Sequence, residues 1–190
     1  MLFRSFDTAL RLAIAGNIID YGISNHFDLQ STIDKVLSCD FAIDDSVRLK
    51  QELSVAKNVL YLGDNCGEIV FDKLFIETIM HPNLTYAVRG NPVINDVTLD
   101  DAQFVGMNVV ADIISNGYDA PSTILEYCSA EFVDAFNRAD VIISKGQGNL
   151  EGLLGRTTKN VYSLLMVKCE VIADTLGVNN GDFVVKKNNL

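Results

Sequence analysis

Basic residues are scarce in this chain. Fifteen lysines and arginines stand against 25 aspartates and glutamates, a formal net charge of −10, and the bases cluster only at Lys186-Lys187. Gripping a nucleic-acid backbone takes many phosphate contacts from basic groups, so this balance argues against a nucleic-acid partner. A phosphorylated small molecule stays admissible, because a divalent cation can supply the positive charge instead. Histidine is nearly absent: His81 precedes Pro82 in a loop and His26 sits among helical segments. A histidine-dependent triad or a histidine-rich zinc site is therefore not signalled. The four cysteines, Cys39, Cys66, Cys128 and Cys169, are scattered with no Cys-x-x-Cys, which argues against structural zinc and for free thiols in a reducing compartment. No apolar run approaches the ~18 residues of a membrane span, and the N-terminus lacks the regions of a signal peptide, so no membrane partner and a cytoplasmic location are expected. Proline is limited to three residues, and no repeat, low-complexity stretch or long linker interrupts the chain.

What is present is apolar pattern. The chain has 190 residues, 48% of them hydrophobic, enough to bury the core of one domain with a helical annex. Residues 2–15, 31–37 and 46–56 show helical spacing, with a cap region at Asp44 to Ser46, and no strand is expected in the first 57. Short β-rich runs follow at 58–63, 84–89, 108–112, 140–146 and 161–167, with a last, edge-type strand at 182–187. They alternate with helical patterns near 67–80, 98–106, 121–136 and 149–155. Strands without internal alternation, separated by helices, predict a mostly parallel sheet covered on both faces. The expected division is a helical segment over 1–57 packing on an α/β domain over 58–190.

In open α/β sheets a ligand sits beyond the carboxyl ends of the strands. The residues there are Gly63-Asp64-Asn65, Arg89-Gly90-Asn91, Asp112, Lys145-Gly146-Gln147 and Lys168. In "VLYLGDNCGEIVFD" (59–72), Asp64, Asn65, Glu68 and Asp72 fall within nine positions. Carboxylate and amide oxygens are hard donors suited to Mg²⁺ or Mn²⁺, although a helix cap explains either Asp64 or Asn65 alone. Glu68, one turn on, is placed to orient a water or handle its proton, or to supply favourable charge at a helix start. Asp72 reads as support.

In "RGNPVINDVTLDDA" (89–102), Pro92 forces Asn91 into an extended conformation. Thr98 with Asp101 makes a capping box. That leaves Asn95 and Asp96 to point elsewhere, and a carboxylate there would complete an oxygen-rich site with Asp64 and Asn65. In "SKGQGNLEG" (144–152), Gly146 and Gly148 allow backbone N–H groups to face an anion and Lys145 offers a point charge, with a plain turn as the alternative. This is not a P-loop, since no Gly-Lys-Ser/Thr follows. There is no Gly-x-Ser-x-Gly elbow and no early Asp-x-Asp strand end of the haloacid dehalogenase kind. A methyltransferase-like nucleotide turn would want an acid at the end of the next strand; Arg89 stands there and favours an anionic ligand.

The runs "GDNCGEIVFD", "RGNPVINDVT", "SKGQGNLEGL" and "LLMVKCEVIADTLGV", with "AIAGNIIDYGI" (13–23), resemble the DUF89 family of metal-dependent damage-control phosphatases, also described as an ARMT1-like metal-binding domain, in its prokaryotic branch. The motifs occur in family order over nearly the whole chain. The resemblance implies a Rossmann-like three-layer α/β/α domain with attached helices. It implies metal ligands at Asp64, Asn65 and Asp96, a phosphate contact at Lys145, and cleft residues at Asn17, Asp20 and Lys168. Glu68, Arg89, Asn91 and Asn95 match positions around the site.

Relatives carry a further helical segment before the Gly-Asn motif, and Met1 lies almost at that motif here. A missing segment would leave apolar faces of residues 2–23 uncovered, so a homo-oligomer or that segment itself is an expected partner. Cys66, alanine in many relatives, reads as a small packing residue. The expected activity is hydrolysis of phosphomonoesters of small, damaged metabolites such as sugar phosphates, with Mg²⁺, Mn²⁺, Co²⁺ or Ni²⁺. The alternatives are an S-adenosylmethionine-dependent carboxyl methyltransferase, a role suggested for part of the family, or a non-catalytic metal- and phosphate-binding module.

Overall fold

The computed structural model describes residues 5–16 and 29–188. Helix α1 (Phe6–Gly16) starts where Ser5 Oγ accepts the Thr8 N–H at 3.1 Å, and it buries Ala9, Leu10, Ala13 and Ile14 along one face. Helix α2 (Leu29–Ser38) is tied to it by Arg11, whose Nη1 donates to the carbonyls of Val36 at 2.9 Å and Cys39 at 2.6 Å. These are carbonyls at the helix end that the helix itself leaves unpaired. A two-residue strand β1 (Ile43–Asp44) leads to α3 (Ser46–Leu53), where Asp44 Oδ1 accepts the Ser46 N–H at 2.9 Å.

The chain then alternates: β2 (Val59–Leu62), α4 (Ile69–Ile79), β3 (Leu84–Val88), α5 (Leu99–Phe104), β4 (Asp112–Ser115), α6 (Ala130–Arg138), β5 (Val141–Lys145), α7 (Gly146–Leu153), β6 (Val161–Met166), α8 (Glu170–Leu176) and β7 (Phe183–Lys187). The strands form one sheet in the order β1-β7-β6-β5-β2-β3-β4, parallel except for β7 against β6. From β2 the chain builds outward through β3 and β4, then returns to β5 on the other side of β2. The order reverses between β2 and β5, the position where doubly wound sheets open a crevice at the carboxyl ends of their strands.

Strand periodicity sorts the core into two layers. Val59 and Tyr61 of β2, Leu84, Tyr86 and Val88 of β3, and Val141 and Ile143 of β5 face α1 and α4. Leu60, Leu62, Ala87 and Ile142 face Phe132 and Phe136 of α6 and Leu153 of α7. Each fully buried aliphatic side chain contributes about 1.5–3 kcal/mol. Ala9, Leu10 and Ile14 of α1 and Leu49 of α3 share the first layer, so the N-terminal helices and the sheet have a common core.

Several expected boundaries shift. The first 57 residues do hold a strand, β1, which pairs with β7 through Ile43↔Val184 and Asp44↔Val185. Two residues are too short to show alternation. β1 therefore takes the sheet edge that residues 182–187 were expected to hold. The strand expected at 108–112 lies at Asp112–Ser115, because the chain turns through Gly106 at φ +69° and a 3-10 turn over Met107–Val109 first. Helix α6 begins only at Ala130, where Ser129 Oγ accepts the Phe132 N–H at 3.2 Å. Helix α8 was not anticipated. The capping box on α5 is present: Thr98 Oγ1 accepts the Asp101 N–H and Asp101 Oδ2 accepts the Thr98 N–H.

Candidate active site

Beyond β2, Gly63 and Asp64 leave the sheet and are caught by the chain arriving at α5. Val97 N–H donates to the Asp64 carbonyl at 2.7 Å and Cys66 N–H to the Asn95 carbonyl at 2.8 Å. Between them Asn65 and Asp96 form an antiparallel bridge. Two strand ends far apart in sequence thus bring Asp64, Asn65 and Asp96 together. A tight turn delivers Asp96, its N–H bonded to the Val93 carbonyl at 2.8 Å, with Ile94 held at φ +51°. A β-branched residue in the left-handed region carries backbone strain, which persists only where surrounding contacts impose it.

Arg89, at the end of β3, lies over both carboxylates. Its Nε donates to Asp96 Oδ2 at 2.5 Å, and its Nη2 is 3.6 Å from Asp64 Oδ1. Its Nη1 donates to the Ser122 carbonyl and to Asn149 Oδ1, both at 3.0 Å. Asp64, Asp96 and Arg89 are 8%, 6% and 3% exposed. Arg89 Nη2 and, in the turn before Asp96, Asn95 Nδ2 are buried without a hydrogen-bond partner. Burial pushes Asp64 up to about 7, reinforced by the charges of Glu68 and Asp96 and opposed by Arg89 and Lys168.

Beneath this edge lies a second, closed cluster. Lys145 Nζ donates to Glu68 Oε2 and to Asp72 Oδ1, each at 2.7 Å. Glu68 Oε1 accepts the Asn65 N–H at 2.7 Å. Asp72 also accepts the hydroxyls of Tyr61 at 2.6 Å and Tyr86 at 3.0 Å. Glu68, Asp72 and Lys145 are all 0% exposed. Burial works against the Lys145 charge, but Asp72 and Glu68 outweigh it and hold the amine protonated, above its ordinary range. One ammonium cannot neutralise two carboxylates, and burial pushes Asp72 up to about 6 against the pull of Lys145.

The expected residues therefore separate. Asp64, Asn65 and Asp96 converge, with Arg89 beside them. Gly146, at φ +76°, abuts Asp64: a β-carbon there would stand 1.9 Å from Asp64 Oδ2. Gly148 admits the Pro121 carbonyl, which a β-carbon would meet at 2.0 Å. Both glycines thus have a close-approach reason to lack side chains. Lys168 is half-buried, its N–H donating to Gln147 Oε1 at 3.2 Å, and its charge is felt at Asp64. Asn91 Nδ2 donates to Asp119 Oδ1 at 3.0 Å on the outer side of the loop. Asn17 and Asp20 lie outside the described residues.

Lys145 and Glu68 point into the core and onto each other, because β5 sends its odd-numbered side chains to the α1–α4 face. One residue went unseen in the sequence: Asn149 of α7, fully buried, joins Arg89 to the ends of β2 and β5. Its only signal is its place in the third motif.

A doubly wound α/β domain with an acidic, arginine-bridged site at its switch point defines the class. Residues 3–184 match the damage-control phosphatase ARMT1-like domain, and the chain belongs to that family. It is 38% identical over 187 residues to a damage-control phosphatase of Pyrococcus horikoshii, covering 96% of this chain and 65% of that one. A damage-control phosphatase of Archaeoglobus fulgidus is 38% identical over 188 residues, covering 95% and 65%. The crystal structure of a DUF89 family protein from Pyrococcus horikoshii superposes with a TM-score of 0.89 at 37% identity, over 97% of this chain and 66% of that chain. The chain thus spans somewhat less than two thirds of the length of these curated relatives.

Proposed function

We propose that this chain is a divalent-metal-dependent phosphatase acting on phosphomonoesters of small metabolites such as sugar phosphates. The observation that carries the reading is the Asn65–Asp96 bridge, which gathers two carboxylates and an amide at the switch point. Among the described residues no group of three or more His, Cys, Asp or Glu side chains is arranged to hold a metal, so the Asn65 amide would have to serve as the third donor. The donor set fits: these are hard oxygen ligands, and a cation that keeps most of its waters needs few of them from protein.

A cation held by Asp64, Asn65 and Asp96 would supply Lewis-acid charge to the phosphoryl oxygens. The protein's own groups do the rest. Arg89 keeps the two carboxylates adjacent despite their mutual repulsion, and its Nη2, ion-paired with Asp64 at 3.6 Å but without a hydrogen bond, would be a donor for phosphate oxygen. Lys168 adds a second positive charge on the same side. Glu68 fixes the Asn65 backbone, and Lys145 fixes Glu68, so both act on the site through position. Hydrolysis joins the water oxygen to phosphorus and expels the ester oxygen as the alcohol, with charge spreading over the phosphoryl oxygens that Arg89 and Lys168 face.

Against the adenosylmethionine alternative, the end of β3 offers a guanidinium committed to Asp64 and Asp96 where a ribose would want a carboxylate. The test is a screen of phosphate esters against Mg²⁺, Mn²⁺, Co²⁺ and Ni²⁺. Turnover abolished by chelator and restored by metal is the expected result; no turnover with any of the four sinks the enzyme reading. Adenosylmethionine binding without metal, measured by calorimetry, would favour the alternative.

A further inference from the structure

Asn149 makes every hydrogen bond a carboxamide offers at such a position. Its Oδ1 accepts from Arg89 Nη1 at 3.0 Å and from Thr123 Oγ1 at 2.8 Å. Its Nδ2 donates to the Gly63 carbonyl at 3.1 Å and to the Lys145 carbonyl at 2.9 Å. These partners are the last residue before Asp64, the last residue of β5, the arginine that bridges Asp64 and Asp96, and the loop entering α6. All four meet in the crevice where the strand order reverses. β2 stops at Leu62 and β5 at Lys145. The Gly63 N–H still bonds the Ala87 carbonyl at 3.0 Å, while its own carbonyl turns to Asn149. Gly148, one residue earlier, lacks a side chain where the Pro121 carbonyl presses in, which lets α7 sit close enough for Asn149 to reach.

We infer that Asn149 is a positioning residue of this site: its carboxamide locks the ends of β2 and β5 to the Arg89 guanidinium and thereby sets the separation of Asp64 from Asp96. This rests on the reading of Asp64, Asn65 and Asp96 as cation ligands. The residue touches neither a proposed ligand atom nor substrate; it acts through Arg89 on Asp96 and through the Gly63 peptide on Asp64. Groups at that remove from a metal still govern it, because ligands held loosely must be ordered at the expense of binding.

The experiment compares wild type with Asn149→Leu, of similar branched shape but without polar atoms, and Thr123→Val, which removes one donor to Oδ1. Mn²⁺ affinity is read by electron paramagnetic resonance, and amide hydrogen exchange is followed without metal. Asn149→Leu should weaken Mn²⁺ binding roughly tenfold or more. Thr123→Val should weaken it roughly two- to tenfold. In both, the Val97 and Cys66 amides, which bond across the Asn65–Asp96 bridge, should exchange faster while amides of α8 keep their wild-type rates. Turnover lost at low Mn²⁺ should return as Mn²⁺ is raised, with circular dichroism showing the variant folded already at low Mn²⁺, because native-state metal binding would by itself also rescue a folding defect. A folded Asn149→Leu with wild-type Mn²⁺ affinity and wild-type exchange at Val97 and Cys66 overturns the inference. If Asn149→Leu does not fold, Thr123→Val decides by the same two readouts. If wild type binds no Mn²⁺, the cation reading fails, and exchange alone decides: faster at Val97 and Cys66 sustains the positioning role, unchanged refutes it.

Discussion

Two charge clusters lie back to back in this molecule with the same composition, two carboxylates and one cation. Glu68, Asp72 and Lys145 form one; Asp64, Asp96 and Arg89 form the other. They differ in closure. In the first, Lys145 is gripped by both acids; Tyr61 shares Asp72 Oδ1 with it, and the remaining oxygens take the Asn65 N–H and the Tyr86 hydroxyl. In the second, Arg89 Nη2 reaches Asp64 only at 3.6 Å and makes no hydrogen bond, and Asp64 keeps a little exposure. A buried polar network that is fully satisfied specifies and stiffens a fold, whereas one left incomplete leaves a group for a ligand to satisfy. The sheet thus carries a strut and the candidate site side by side, joined through Glu68 and the Asn65 peptide.

Replacing a member of the strut should damage the fold, and replacing a member of the site should damage function. The largest effect is expected from Lys145→Met, which strands two buried carboxylates and should cost about 3–5 kcal/mol in urea denaturation. A variant as stable as wild type would erase the distinction between the clusters. Asp64→Asn should lower metal-dependent turnover by more than about a hundredfold, since even outer partners of a metal cost ten- to a hundredfold, while thermal stability is kept. Retained turnover would remove Asp64 from the site.

Gly146→Ala lies between these extremes. It forces a β-carbon onto Asp64 at φ +76°, and about 1–3 kcal/mol of backbone strain should come with weakened Mn²⁺ binding. Gly155→Ala, at φ +70° with open space around it, should show the strain alone. Tyr86→Phe takes one hydrogen bond from Asp72 and should cost about 1 kcal/mol of stability with turnover unchanged.

The smallest effect belongs to a solvent-facing cluster at the other end of the sheet. Burial raises the Glu52 pKa, but Lys187, Asn160, Arg48 and Tyr162 outweigh that and bring it from 4.5 down to about 2. Because the folded value is the lower one, Glu52 stabilises the fold above its ordinary pKa, and that contribution fades as pH falls from about 4.5 toward 2. Glu52→Gln should therefore flatten acid denaturation in that window and cost less than about 1 kcal/mol at neutral pH, as solvent screening dictates.

The sequence by itself determined what is local or periodic. Alternation of apolar strands with helices defines a parallel, doubly covered sheet, because both strand faces must be buried. The Thr98–Asp101 capping box is legible because it closes within three residues. The loading of strand ends with Asp64, Asn65, Arg89 and Asp96 is legible because connectivity alone places them at one edge. Tertiary structure alone decided which of those groups meet. In "VIISK" every position before the lysine is apolar or small, so nothing in the sequence marks which face Lys145 shares with Ile143, and it turned inward to Glu68 and Asp72. Pairing β1 with β7, bridging Asn65 to Asp96 and seating Asn149 among three strand ends depend on register between segments distant in the chain. Between segments so distant in the chain, register is settled only when the faces to be buried are matched across the whole sheet.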